Sequence, residues 1–188
     1  MNIHQKLDSL YQLLIDDFDT LKTEILELIP QPEQIKDTRK FSILLSDLKN
    51  DIFFMPLQEK LILSNKGDSW LLDYLYAATN LLSETSKEFS LLDGLTDKLE
   101  DWVLNGSDEL AFYATGLLQY LETKQAEQIQ LKKLEHRNVF FLIHVNCLLG
   151  LLQYDKEKHI HLLNDIVQDE TRNKDLKEFC QKYLDQNK

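Results

Sequence analysis

Residues 108–118 read DELAFYATGLL, and within them the small residue Ala114 stands three and four positions before Leu117 and Leu118. Positions three and four apart lie on one face of an α-helix, so the stretch predicts a helix with one apolar side. The same pattern recurs at intervals of 36, 31 and 35 residues, beginning at Ala78, Ala114, Val145 and Cys180. Such intervals predict a helix-turn-helix repeat, because one hairpin cannot bury its apolar face until the next one stacks on it.

Residues 108–118 and Val145–Gly150 (VNCLLG) resemble the HEAT-like family of α-helical repeats, and the resemblance extends over about residues 68–186. It implies stacked helical hairpins that form an α-solenoid, and repeats of this kind usually act as binding surfaces. The alternative fold is an irregular helical bundle in which the spacing repeats by accident. Fold alone does not determine function in either case.

Helical rather than strand spacing holds along the chain, so we expect an all-α protein of about 9–10 helices with little or no sheet. We expect one domain over residues 1–188, with N-terminal helices in 1–65 and helical-hairpin repeats in 66–188. Gly106 suits a left-handed C-terminal cap, and Ser107 or Asp108 can cap the next helix. The expected helices are 7–28, 32–49, one that starts near Pro56, 69–83, 87–104, 108–122, 124–135, 138–153, 156–168 and 173–185.

The composition excludes several classes of protein. The chain has 188 residues, a formal net charge of −11 and only five Gly, which is typical of a compact helical protein. Phosphate binding needs clustered Lys and Arg, so the acidity argues against nucleic acid and anionic membranes as partners. The strongest apolar window, 138–152, is too short for a bilayer span, and the first eight residues contain no signal-peptide core. Two isolated cysteines fit a reducing compartment, so we expect a cytoplasmic protein.

No motif in the sequence predicts catalysis, a cofactor or a metal site. His144 and Cys147 stand three positions apart and could share an ion, but a structural zinc site needs about four ligands. The pairs Asp155–His159 and Glu157–His161 have a spacing that acid–base sites can use, yet on a lysine-rich helix such pairs are usually solvated. We therefore expect a protein that is not an enzyme.

The negative charge is concentrated. Residues 67–122 hold 11 acidic residues against two basic ones, Lys87 and Lys98. This segment also contains both tryptophans and six further aromatic residues, Tyr74, Tyr76, Phe89, Phe112, Tyr113 and Tyr120. Carboxylates steer a basic partner, and partly buried aromatic side chains supply central binding energy. The predicted partner-binding residues are Asp68, Trp70, Asp73, Asp97, Glu100, Asp101, Trp102, Asp108 and Glu109.

These residues lead to the hypothesis of an inhibitor that binds a basic protein. In its small size and acidity the chain is similar to bacterial immunity proteins, which implies that it neutralises a toxin domain, for example a nuclease. A helical-repeat adaptor or assembly factor is the first alternative, and a helical enzyme with His144 in its site is the second. The carboxylates could equally form an ordinary solvated face, with both tryptophan rings in the core.

Overall fold

The computed structural model describes residues 10, 17–83 and 91–187, and these residues form α-helices and two short 3-10 turns but no strand. The predicted all-α fold is confirmed. The predicted start of the first helix near residue 7 and residues 87–90 of a later helix lie outside the described residues. The α-helices are α1 (Phe18–Leu28), α2 (Thr38–Leu48), α3 (Phe54–Leu63), α4 (Leu71–Ser83), α5 (Leu95–Asn105), α6 (Asp108–Leu118), α7 (Lys124–Glu135), α8 (Phe141–Tyr154), α9 (Lys156–Gln168) and α10 (Lys174–Gln186).

The chain divides into two compact units, residues 1–95 and 96–188. The first unit contains α1 to α4, and the second contains α5, from its second residue, to α10. Whether the chain behaves as a single domain stays a prediction.

In the first unit, α2 and α4 lie side by side. The Thr38 hydroxyl donates a hydrogen bond to Asp73 (2.6 Å), and the Asn80 amide donates one to the Ser46 hydroxyl (3.2 Å). The bonded residues are 35 and 34 positions apart, so the offset is nearly constant along both helices. A constant offset means that α2 and α4 run in the same direction. In the sequence, α3 stands between these two helices.

Alternate helices also pair in the second unit. The side chain of Asp108 on α6 accepts a hydrogen bond from the backbone N–H of Phe140, which precedes α8, over 32 positions. The Asn146 amide donates to the Phe112 carbonyl over 34 positions, and Lys158 on α9 donates to Glu127 on α7 over 31. These offsets match the recurrence in the sequence, so each unit is compatible with stacked helical hairpins.

The residues that begin the sequence recurrence occupy alternate helices and are buried: Ala78, Ala114 and Cys180 are 0% exposed and Val145 is 8% exposed. Cys147, also buried, joins Cys180 in the apolar core of the second unit, and both cysteines are free. Burial raises the pKa of each thiol to about 12, which makes both thiols unreactive near neutral pH. No helix of the described residues is long and apolar enough to cross a membrane.

Local capping moves two helix starts from their predicted positions. Residues Pro32–Gln34 form a 3-10 turn, and α2 begins only at Thr38, because the Asp37 side chain accepts a hydrogen bond from the Lys40 N–H (2.8 Å) and caps the helix there. The helix expected over 87–104 begins at Leu95, directly after Gly94, whose φ of 91° lies in the left-handed region that favours glycine.

The predicted left-handed cap at Gly106 is wrong, since Gly94 is the glycine with positive φ among the described residues. Gly106 is needed for a different reason: a Cβ at this position would overlap the carbonyl group of Trp102. The expected N-cap after it is confirmed, because the Ser107 hydroxyl accepts a hydrogen bond from the Leu110 N–H (3.2 Å). The helix that follows, α6, ends at Leu118 rather than at residue 122.

Candidate protein-interaction surface

Both tryptophans of the predicted surface are core residues. Trp70 is 4% exposed; its ring lies edge-on to the Tyr74 ring (5.0 Å between centroids), and the Lys60 ammonium group lies over it at 5.1 Å. Trp102 is 1% exposed and is among the largest fully buried side chains of the described residues. Neither indole ring is available to a partner in this structure, so the aromatic part of any contact must come from other residues.

In the first unit, Asp73 already holds a cation. The Arg39 guanidinium group lies 3.7 Å from the Asp73 carboxylate and 4.1 Å above the Tyr76 ring. Asp73 and Tyr76 stand three positions apart on α4, which places carboxylate and ring on one helix face. Asp68, which is half-buried, accepts a hydrogen bond from the Asn65 N–H (2.8 Å).

The three acidic residues of α5 form polar contacts within the second unit. Asp97 accepts a hydrogen bond from the Gln125 amide (2.8 Å), and Glu100 pairs with Lys132 (2.7 Å). Asp101 is exposed and accepts one from the Asn105 amide on its own helix (3.1 Å). Because Lys132 balances Glu100, α5 presents less negative charge than its sequence indicates.

A cluster of four aromatic rings lies where α6 meets the start of α8. The Phe112 ring contacts the Tyr113 ring (5.5 Å) and the Phe140 ring (6.0 Å), and Phe140 contacts Phe141 (5.5 Å). All three pairs are edge-to-face, the arrangement that ring quadrupoles favour. Phe140 is 46% exposed, and the other three rings are half-buried. The cluster is therefore held in place and still open to solvent.

Two predicted site residues border this cluster. The Asp108 carboxylate accepts the backbone N–H of Phe140 (3.2 Å), and Glu109 follows it on α6. Both are exposed. We call Asp108, Glu109, Phe112, Tyr113 and Phe140 the α6–α8 surface.

Two cations lie near the α6–α8 surface. Arg137 pairs with Asp169 (2.6 Å), which Arg172 also approaches (3.7 Å). Lys133 is 3% exposed; burial lowers its pKa, and attraction by Asp108 opposes that effect. No described residue forms a hydrogen bond or an ion pair with the Glu109 carboxylate.

The α6–α8 surface keeps Asp108 and Glu109 of the predicted site and adds Phe140, which the sequence reasoning missed. The only signal in the sequence was that Phe140 stands 32 positions after Asp108, within the range of the repeat intervals. The structure brings Asp97, Glu100 and Asp101 together on α5. Whether any of these residues binds a partner stays a prediction.

Of the two histidine pairs, Glu157 and His161 are both exposed, but the Asp155–His159 pair does not form. Buried His159 contacts Glu127 on α7 through Nε2 (2.7 Å), and Glu127 also accepts from Lys158 (2.5 Å). Hydrogen bonds from Lys158 and His159 lower the pKa of Glu127 despite its burial. Asp155 instead caps α9 by accepting the Lys158 N–H (3.0 Å). The contacts of Glu127 with Lys158 and His159 connect α7 to α9.

His144 is 3% exposed, and its Nε2 forms no hydrogen bond with a described residue. Burial and the neighbouring Arg172 cation lower the pKa of His144 to about 4, so the ring is neutral at pH 7. Among the described residues, no three His, Cys, Asp or Glu side chains form a group that could hold a metal ion.

One cavity, of about 440 Å³, lies between the end of α9 and α10. Its lining mixes cations and carboxylates: Arg172, Lys174, Lys177, Glu170 and Glu178. A lining that holds three cations and two carboxylates favours neither an anionic nor a cationic ligand.

Comparison with protein families, with curated proteins and with solved structures finds no match to this chain.

Proposed function

We propose that the chain is a protein-binding inhibitor of a basic partner, and most concretely a HEAT-like immunity protein that neutralises a toxin domain in the cytoplasm. It acts by covering a cationic surface of the toxin and needs no catalytic group. The observation that carries the proposal is the α6–α8 surface, in which exposed carboxylates border an open aromatic cluster.

The two parts of the surface have different roles in this proposal. The net charge of −11 attracts a cationic partner and speeds the encounter. The ring cluster supplies the binding energy at the centre of the contact, because aromatic anchors that are already packed lose little entropy on binding.

The proposal predicts that a neighbouring gene encodes a basic toxin domain, and the first test is growth of cells that express this domain, with and without the chain. We expect the chain to restore growth. If growth is not restored, the toxin-inhibitor role is refuted.

The second test measures the Kd of the purified pair by titration calorimetry. We expect Phe140→Ala and Glu109→Lys each to weaken binding by about tenfold, the effect of losing a central contact worth 1–2 kcal/mol. Binding should also weaken as salt rises, because exposed charges are screened.

Glu157→Lys is the matched control for Glu109→Lys. Both glutamates are exposed, and each is the second residue of its helix, so both changes place a lysine in a first helical turn. Equal weakening by the two variants would show that only net charge matters and that the α6–α8 surface is not the contact.

A helical-repeat adaptor is the second candidate, favoured by the parallel stacking of alternate helices in each unit. Such a protein would hold a subunit of a larger assembly without inhibiting it. Stable co-purification with a protein whose activity persists in the complex would favour the adaptor over the inhibitor.

A further inference from the structure

In the first unit, an arginine side chain lies next to an acidic residue and an aromatic ring on the same face of α4. The half-exposed Arg39 guanidinium group lies 3.7 Å from the Asp73 carboxylate and 4.1 Å above the Tyr76 ring, both on α4. A guanidinium group suits both neighbours, because it is planar, stacks on aromatic faces and pairs with carboxylates through several N–H donors. This pair of residues therefore forms an arginine site within the chain itself.

The same pair of residue types recurs on α6 in the same register. Glu109 and Phe112 stand 36 positions after Asp73 and Tyr76, and 36 is also the interval from Ala78 to Ala114. Ala78 and Ala114 are both 0% exposed, so α4 and α6 bury the helix face that carries equivalent positions of the repeat. Glu109 and Phe112 accordingly occupy on α6 the positions that Asp73 and Tyr76 occupy on α4.

The pair on α6 differs from the pair on α4 in what surrounds it. Glu109 is exposed and forms no hydrogen bond or ion pair with a described residue, whereas Asp73 accepts a hydrogen bond from Thr38 and forms an ion pair with Arg39. A second acid and a second ring lie beside it, because Asp108 bonds the Phe140 N–H and the Phe140 ring contacts the Phe112 ring. Two exposed carboxylates and the exposed Phe140 ring therefore lie in one part of the protein surface.

From these observations we infer that the α6–α8 surface binds an arginine side chain of the partner, with the guanidinium group stacked on Phe140 or Phe112 and paired with Glu109 and Asp108. This inference rests on the proposed function, because it takes the partner to be a basic protein. It adds that arginine, and not lysine, is the anchor. A lysine ammonium group is a strongly hydrated point charge and cannot stack and form a bidentate pair at once.

The test uses the full chain labelled with ¹⁵N and two capped peptides of equal charge, Gly-Arg-Gly-Arg-Gly and Gly-Lys-Gly-Lys-Gly. Each peptide is titrated while the amide signals are recorded by NMR. We expect the arginine peptide to bind about fivefold more tightly than the lysine peptide, because a guanidinium group can stack on a ring and pair with a carboxylate through two N–H donors at once. The signals of Glu109, Phe112 and Phe140 should shift most. Equal affinities, or shifts that map to other residues, would overturn the inference.

Two variants locate the preference. Glu109→Gln removes one charge with little change in size, and Phe140→Leu keeps apolar volume but removes the ring face. Each should bring the two peptide affinities close together, whereas Glu157→Gln should leave the fivefold preference intact. A preference that survives both Glu109→Gln and Phe140→Leu refutes the assignment. Self-association of the chain that Phe140→Leu abolishes would assign the surface to a second copy instead.

Failure of this inference can be told apart from failure of the proposed function. Growth protection without an arginine preference refutes only the arginine anchor. An arginine preference without growth protection keeps the site and refutes the toxin-inhibitor role.

Discussion

At the scale of single residues, His144 shows how burial changes the behaviour of a titratable group. It lies in α8 with 3% exposure, and the Arg172 and Lys133 cations both disfavour a positive charge on its ring. The folded protein therefore takes up a proton at His144 only near pH 4, whereas an exposed histidine does so near 6.5. Between these values the unfolded chain binds more protons than the folded protein does.

The free energy of unfolding should consequently fall as the pH drops from about 6.5 to 4. Above pH 6.5 the contribution of His144 should be complete. The expected loss is about 2–3 kcal/mol from His144 alone. It can be measured as the free energy of unfolding in urea at a series of pH values, for the wild type and for His144→Gln. The variant should lose less stability than the wild type over this range.

His161→Gln is the control, since His161 is exposed on α9. It should lose stability with falling pH as the wild type does. If His144→Gln and the wild type have the same pH dependence, His144 is not neutral in the folded protein.

At the scale of helices, Gly150 sets how closely α8 packs on its neighbours. A Cβ at this position would overlap the Gln130 side-chain amide and would lie 2.8 Å from the Cα of Gln119. The Gln130 amide also donates to the Leu118 carbonyl at the end of α6 (3.3 Å). Glycine is therefore required by the approach of other chain segments to α8.

Gly150→Ala should destabilise the protein by about 1–2 kcal/mol, because forcing the backbone of Gln119 away outweighs the gain in helix propensity. Chemical denaturation checks this value. Gly67→Ala is the matched control: nothing lies within 4 Å of a Cβ at Gly67, and its φ is not positive. The control should stay within about 0.5 kcal/mol of the wild type. Equal effects of the two changes would contradict close packing at Gly150.

At the scale of the whole molecule, the second unit has an apolar core of its own. Buried residues of α7, α8, α9 and α10 pack together there, including Leu134, Leu148, Leu163, Leu176 and Cys180. Glu127 on α7 adds polar links to α9, one to buried His159 and one to exposed Lys158. A compact unit with its own core can in principle fold by itself.

A fragment of residues 91–188 should therefore be helical and should unfold cooperatively. Far-ultraviolet circular dichroism and a thermal melt would measure this. The fragment with Leu148→Ala, which empties part of the core, should melt at a lower temperature, since such a change costs about 2–5 kcal/mol. A fragment without cooperative unfolding would show that the second unit depends on residues 1–90.

Much of the fold could be predicted from the sequence. The apolar period and the caps are local, so α7 (124–135) and α9 (156–168) have the predicted bounds. The recurrence at Ala78, Ala114, Val145 and Cys180 correctly marks alternate helices with buried positions. Helix starts that depend on one capping side chain, such as Asp37, could not be predicted, because several polar residues nearby could have capped the helix equally well.

The candidate site could be predicted only in part. Asp108 and Glu109 are exposed, as a surface role requires, and their charge is a property of the sequence. The exposure of the aromatic residues could not be predicted, because burial depends on contacts with residues far along the chain. Trp102, which directly follows Asp101, is 1% exposed, whereas Phe140, which has no acidic residue within four positions, is 46% exposed.

The sequence by itself determined an acidic, all-helical chain with alternate helices repeating every 31–36 residues, because helix periodicity, capping and charge are local properties of the residues. Only the tertiary structure decided that His159 pairs with Glu127, that Arg39 occupies Asp73 and Tyr76, and that Glu109 stays open beside Phe112 and Phe140. These outcomes depend on which helices lie side by side, and stacking brings together residues about 32 positions apart that no local pattern connects.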